Sequence, residues 1–225
     1  MNSCWLRLDV DNPCYYCTIR TRIRLRWNIP IWGYYEQVKD TLAYLKQTHP
    51  TIKRVWFIRH IILPPHGLLD DEEIGLHITE PHNVLKEYKK VSNHFHRELY
   101  KFTRHGHSPI ASGRLWAPED HEYVRSVLPH MVDLSDLPHY TISHSPDSKL
   151  DDALYTNFGE VDHVLFHPEH YKLRDHSRTT LLHEAPSNFR KAQYLIFSPV
   201  HLKLNKGELD WALRQVEANN HAQLQ

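Results

Sequence analysis

Apolar positions along the chain switch repeatedly between a period of two and a period near 3.6. Trp5-Leu6-Arg7-Leu8-Asp9-Val10 predicts a strand that ends in acidic residues. Tyr35, Val38, Leu42 and Leu45 then fall on one face of a helix. Arg54–Arg59 predicts a second strand, Glu73–His77 a third, and Val84, Tyr88, Val91 and Phe95 another helix. Leu99–Thr103 predicts a fourth strand, and Tyr123, Val124, Val127 and Leu128 a helix whose first turn carries Pro118, Glu119 and Asp120. His163–His167 predicts a late strand stopped by Pro168, and Leu209, Ala212, Leu213 and Val216 a last helix after Gly207. Alternating strands and helices predict an α/β fold with mostly parallel strands, as an open sheet or a barrel. Residues 1–225 read as a single domain with a frayed tail at 219–225, and no internal repeat interrupts them.

Polar residues gather at the predicted strand ends. Asp9 and Asp11 follow the first strand, His60 the second, His77 the third, Arg104 and His105 the fourth, and His167 the late one. Parallel strands bring such ends to one rim, where active sites of this fold class sit.

Composition narrows the field. The chain has 27 Lys+Arg against 27 Asp+Glu, so a basic nucleic-acid surface is not expected. Twenty histidines make its charge sensitive to pH near 6.5. The few glycines form no dinucleotide or phosphate-loop motif. No apolar run reaches the length of a membrane span, and neither a signal peptide nor a cysteine framework stands out. With three cysteines, a reducing, cytoplasmic setting is expected.

Asp9 and Asp11 alternate onto one side of their strand, where two carboxylates invite a cation or a shared proton. One would bind a metal while the other takes a proton from water; the bland reading is a solvated turn. His77 and His82 lie five apart, too far for a helix-face chelate, although a loop brings such a pair together. Asp11, His77 and His82 form the expected ligand set for a divalent metal, Zn²⁺ by preference. Cys14-x-x-Cys17 reads as ordinary reduced thiols. Arg20, Arg22, Arg24 and Arg26 alternate along a stretch that suits either an exposed ribbon or phosphate binding. Trp32 and its aromatic neighbours suit sugar stacking, while His94, His96, His170, His176 and His183 read as solvated or core imidazoles.

Four of these motifs together resemble the polysaccharide deacetylase (NodB-like) superfamily, and in particular a subset associated with surface polysaccharides. They are Asp9-Val10-Asp11, Glu73-Ile74-Gly75-Leu76-His77, Phe102-Thr103-Arg104-His105-Gly106 and Val164-Leu165-Phe166-His167-Pro168, in family order. The resemblance implies a distorted (β/α) barrel and metal-dependent removal of an N- or O-acetyl group from a carbohydrate. The substrate it implies is an acetylated sugar, an oligosaccharide, or a nucleotide- or lipid-linked saccharide. Carried over, Asp11 or Asp9 is the base, His167 the general acid, and Arg104 the residue that orients the acidic motif. His105, His60 and Trp32 are left to bind substrate. Two departures stand out: Asn12 follows Asp11 where the family has an adjacent acidic pair, and Pro81 precedes His82 where the family's second histidine falls.

Those departures motivate an alternative, a non-catalytic glycan-binding descendant of the same fold. A third reading rests on Arg104-His105-Gly106, which resembles the signature of histidine phosphatases, with His105 as nucleophile and Arg104 on phosphate.

Overall fold

In the computed structural model the described residues are 4–10, 34–105, 116–141, 162–168 and 206–222. Seven strands are present among them: β1 Trp5–Val10, β2 Arg54–Ile58, β3 Glu73–Ile78, β4 Lys101–Arg104, β5 Val132–Asp133, β6 His139–Thr141 and β7 His163–Phe166. Helix α1 (Tyr34–Thr48) joins β1 to β2, α2 (Val84–Phe95) precedes β4, α3 (Pro118–Val127) precedes β5, and α4 (Lys206–Ala222) follows β7. The predicted strands and helices are thus observed, with ends shifted by a residue or two. Arg59 and His167 fall just past their strands. Leu99 is buried ahead of β4 rather than paired within it.

Three features depart from the sequence pattern. The edge strands β5 and β6 are two and three residues long, too short to leave a readable alternation. The connection from β2 to β3 contains no helix. Helix α4 continues to Ala222, beyond the point where fraying is expected. There the Asn220 amide donates to the Cys4 carbonyl at 3.0 Å and ties the helix end to the start of β1.

All strand pairs are parallel, and the order is β5-β4-β3-β2-β1-β7-β6. Read from the other edge this is 6-7-1-2-3-4-5, a cyclic order with one break between β5 and β6. Only six chain steps separate Asp133 at the end of β5 from His139 at the start of β6. Such a link spans at most about 20–22 Å at ~3.3–3.6 Å per residue. Across seven strands of a flat sheet the edges would stand about 29 Å apart at ~4.8 Å per strand. The sheet therefore curls, bringing its edges toward each other as in a barrel open on one side.

Alternation gives the curled sheet two unlike faces. Leu6, Leu8, Val10, Trp56, Ile58, Ile74, Leu76, Ile78, Phe102, Val164 and Phe166 point outward into the main core. Val38, Leu42 and Leu45 of α1, Val84 and Val91 of α2, Val124 of α3, and Leu209, Ala212, Leu213 and Val216 of α4 cover them. The inner face is mixed. Near the strand starts it is apolar: Val55, Phe57 and Trp5 meet Leu134 and Leu137 from the β5–β6 link, which plug the interior. Gly75 makes room for this layer, since a Cβ there would collide with the Phe57 ring. Toward the strand ends the inner face turns polar, with Arg7, Asp9, Arg59, His77 and Thr103 all buried.

Among the described residues no helix is long and apolar enough to cross a membrane.

Candidate functional site

Asp9 lies at the centre of the polar inner layer. The Arg7 guanidinium, two residues back on the same side of β1, grips it with both arms: Nε donates to Oδ1 at 2.8 Å and Nη2 to Oδ2 at 2.5 Å. Burial raises the carboxyl's pKa, but the charges of His77, Arg7 and His167 and the Arg7 hydrogen bond outweigh it. Asp9 is held below the ordinary carboxylate value. It is thus a fixed anion within the sheet interior.

His77, from the inner side of β3, is only 1% exposed. Its Nδ1 lies 2.7 Å from Thr103 Oγ1, directly across β4, and 3.9 Å from Asp9 Oδ2. Its Nε2 faces His105 Nδ1 at 3.2 Å, with the two rings nearly perpendicular. An Nδ1–H donated to Thr103 leaves the Nε2 lone pair pointing toward His105. His105 is held by its own backbone N–H, which donates to the Ile78 carbonyl at 2.8 Å. His167 continues the inner series of His163 and Leu165, and its charge is among those that pull Asp9 down.

Strand alternation divides the sequence-predicted site residues. Asp9, His77, His105 and His167 share the inner face at the strand ends. Arg104 and His60 do not. Arg104 follows Phe102 onto the outer face, where its Nε meets Asp133 Oδ2 at 3.4 Å, its Nη2 pairs with Asp136, and its guanidinium lies over Trp116. The Asp9 carboxylate is instead oriented by Arg7. His60 points outward to Glu87 of α2 at 3.4 Å. That buried carboxylate also accepts the backbone N–H groups of Thr79 and Glu80 and so pins the turn after β3. His82 lies on the following turn of 3₁₀ helix, 64% exposed, with Nε2 3.2 Å from Asp120 Oδ1 and its ring against Tyr123. Asp11 and Trp32 lie outside the described residues, as do Cys14, Cys17 and the Arg20–Arg26 series.

Four residues of this layer were not singled out from the sequence: Arg7, Arg59, Thr103 and His163. The alternation that pairs Asp9 with Asp11 extends backwards to Arg7 and, on β7, from His167 back to His163. His163 is fully buried, stacked between Trp5 and His139, and accepts from Arg7 Nη1 at 3.5 Å. Burial, then the charge of Arg7, drives its pKa down to about 3, so it stays a neutral imidazole.

The resemblance implies a metal, and the donor set allows a test of fit. Two nitrogens bound tetrahedrally at ~2.0–2.1 Å to zinc lie about 3.3–3.4 Å apart. His77 Nε2 and His105 Nδ1 are 3.2 Å apart. A ligating imidazole also needs its other N–H satisfied, and Thr103, with Asp9 behind it, does this for His77. The two imidazoles thus stand at ligand spacing, which is also the spacing of a hydrogen bond between them. Among the described residues no cluster of three His, Cys, Asp or Glu side chains completes the site. Compared with protein-family models, curated proteins and solved structures, the chain matches none.

Proposed function

We propose that the protein is a metal-dependent hydrolase of the deacetylase type, removing an acetyl group from a carbohydrate at the inner rim of a distorted (β/α) barrel. The observation that carries this reading is the meeting of Asp9, His77, His105 and His167 at the ends of parallel strands β1, β3, β4 and β7. Cyclic strand order and the curled sheet agree with the barrel, and the deacetylase-like motifs contain all four residues, one at the end of each of four strands.

In this reading His77 and His105 would hold the ion, and His105 takes the place first expected for His82. A divalent ion bound there supplies Lewis acidity, polarising the acyl carbonyl and lowering the pKa of a water molecule. Asp9 has both carboxylate oxygens engaged by Arg7, so its part is to set the field around His77 rather than to accept the water's proton. That proton goes to a second carboxylate, the role the motif resemblance gives to Asp11. His167 gives its proton to the departing amine or alcohol. The electropositive Arg7 guanidinium behind Asp9 keeps the anion in place through the cycle.

The test is acetate release from N- and O-acetylated oligosaccharides by the protein loaded with Zn²⁺ or Co²⁺. We expect His77→Ala and His167→Ala each to lower the rate by about 10²-fold or more. Unchanged rates in both variants would sink the assignment. A protein that binds the sugar and releases no acetate in any metal form would be the non-catalytic glycan binder instead. The phosphatase reading gives Arg104 to the phosphate, whereas Arg104 faces Asp133 and Asp136 on the other side of the sheet.

A further inference from the structure

Among the described residues two arginines, Arg7 and Arg59, are buried on the sheet and a third, Arg54, is partly buried beside it; Arg7 and Arg54 each have a carboxylate. Arg7 holds Asp9 with two hydrogen bonds, and Arg54 holds Glu72 with two more, at 2.5 and 2.9 Å. Arg59 is different. It is 3% exposed, more buried than Arg7, yet among the described residues no carboxylate meets it. Its Nε donates to Thr79 Oγ1 at 3.2 Å, which fixes the plane of the guanidinium, and its Nη1 is buried with no hydrogen-bond partner.

A guanidinium does not release its proton near neutrality, so burial cannot be relieved by neutralisation. Removing it from water without a counter-charge costs several kcal/mol. Folds keep such a group only where something offsets the cost. The position of Arg59 suggests what does. It continues the inner series Val55, Phe57 past the end of β2, and its hydrogen-bond partner Thr79 continues the inner series Gly75, His77 past the end of β3. Arg59 thus stands at the same rim as His77 and His105, with an unused donor.

We infer that Arg59 is an oxyanion-binding residue: its free Nη1 arm receives a phosphate or carboxylate group of the ligand at this rim. Guanidinium forks match both groups in shape and charge. The inference is independent of the deacetylase reading, because it requires only that the ligand be anionic. Combined with that reading, it makes the substrate a phosphorylated or uronic-type saccharide rather than a neutral one.

Titrations of the full-length protein with inorganic phosphate and, separately, acetate, against chloride at matched ionic strength, test this through thermal unfolding and ³¹P line width. Wild type, Arg59→Met, Arg59→Lys and the exposed control Arg125→Met are compared. A saturable rise in Tm with either oxyanion is expected for wild type and Arg125→Met. In Arg59→Met the apparent affinity falls at least tenfold, and Arg59→Lys retains part of it. In chloride alone Arg59→Met unfolds at or above the wild-type temperature, because the substitution removes an unpaired buried charge. The larger response, phosphate or acetate, separates a phosphorylated from a carboxylated ligand. Equal responses of wild type and Arg59→Met, or none in wild type, would overturn the assignment. So would an Arg59→Met protein that unfolds well below wild type in chloride, since the guanidinium would then have an internal partner.

Discussion

At the scale of single residues the interior is governed by how Arg7 divides its hydrogen bonds. Its guanidinium neutralises Asp9, donates toward His163, and lies over the Phe57 ring. Breaking a buried pair leaves one uncompensated charge, so Arg7→Met should destabilise the fold by about 3–5 kcal/mol in denaturant unfolding. It should also raise the Asp9 pKa, readable from the carboxyl carbon shift. Asp9→Asn alone strands the guanidinium and should cost a similar amount. An effect under about 1 kcal/mol would mean the pair is not buried as described. His163 gives the second prediction. In the unfolded chain its imidazole takes up a proton near 6.5, but the folded one does so only at about 3. The unfolded state therefore binds more protons over that window, and stability is lost as pH falls from about 6.5 toward 3. Asp9, with its lowered value, adds a further loss as pH falls below the ordinary carboxylate range. Unfolding between pH 4 and 5.5 should take up about one proton fewer in His163→Phe than in wild type. Identical pH slopes would show that His163 titrates normally.

At the scale of elements, a parallel strand buried on both faces has to sort apolar from polar by alternation, and β1 shows how much of that is legible. Trp5, Arg7 and Asp9 face inward while Leu6, Leu8 and Val10 face the helices. The strands and helices could be read because their patterns run for four or more residues. The same pattern distinguishes Thr103 and His105 from Arg104, a distinction that proximity in sequence hides. Arg104 and His60 part from Asp9 and His77 for this reason: adjacent residues on a strand face opposite ways. The edge strands were illegible because hydrogen bonding to a neighbouring strand, not local pattern, creates them, and the β2–β3 connection is a run of local turns without a period. Gly75 carries a specific expectation at this scale. The Phe57 ring occupies the space of its missing Cβ, and the Lys101 carbonyl closes the other side at 3.1 Å. Gly75→Ala should cost about 1–3 kcal/mol by overpacking. Pairing it with Phe57→Leu should recover part of the loss in a double-mutant cycle, since the clash is with that ring; strict additivity would argue against it.

At the scale of the whole molecule, the cyclic strand order requires something to fill the interior at the open seam between β5 and β6. The link that crosses the seam does this with its own side chains: Leu134 and Leu137 pack on Val55, Phe57 and Trp5. The link also holds Arg104 from outside through Asp136, so the same few residues plug one face and brace the other. A sequence shows none of this, because the segment has neither helical nor strand period and its value depends on two edges meeting. If the plug closes the strand-start end of the barrel, it should be energetically important and functionally remote. Leu134→Ala should lower stability by about 2–5 kcal/mol through the cavity left against Phe57 and Val55. Near-ultraviolet dichroism should change as the Trp5 environment loosens. On the metal reading proposed for the rim, cobalt binding, followed by its visible spectrum, should stay within about twofold of wild type, because His77 and His105 lie at the opposite end of the strands. A Leu134→Ala protein of wild-type stability would mean that the seam is closed by other residues. Lost cobalt binding in a protein that remains folded would mean that plug and rim form a single cooperative layer.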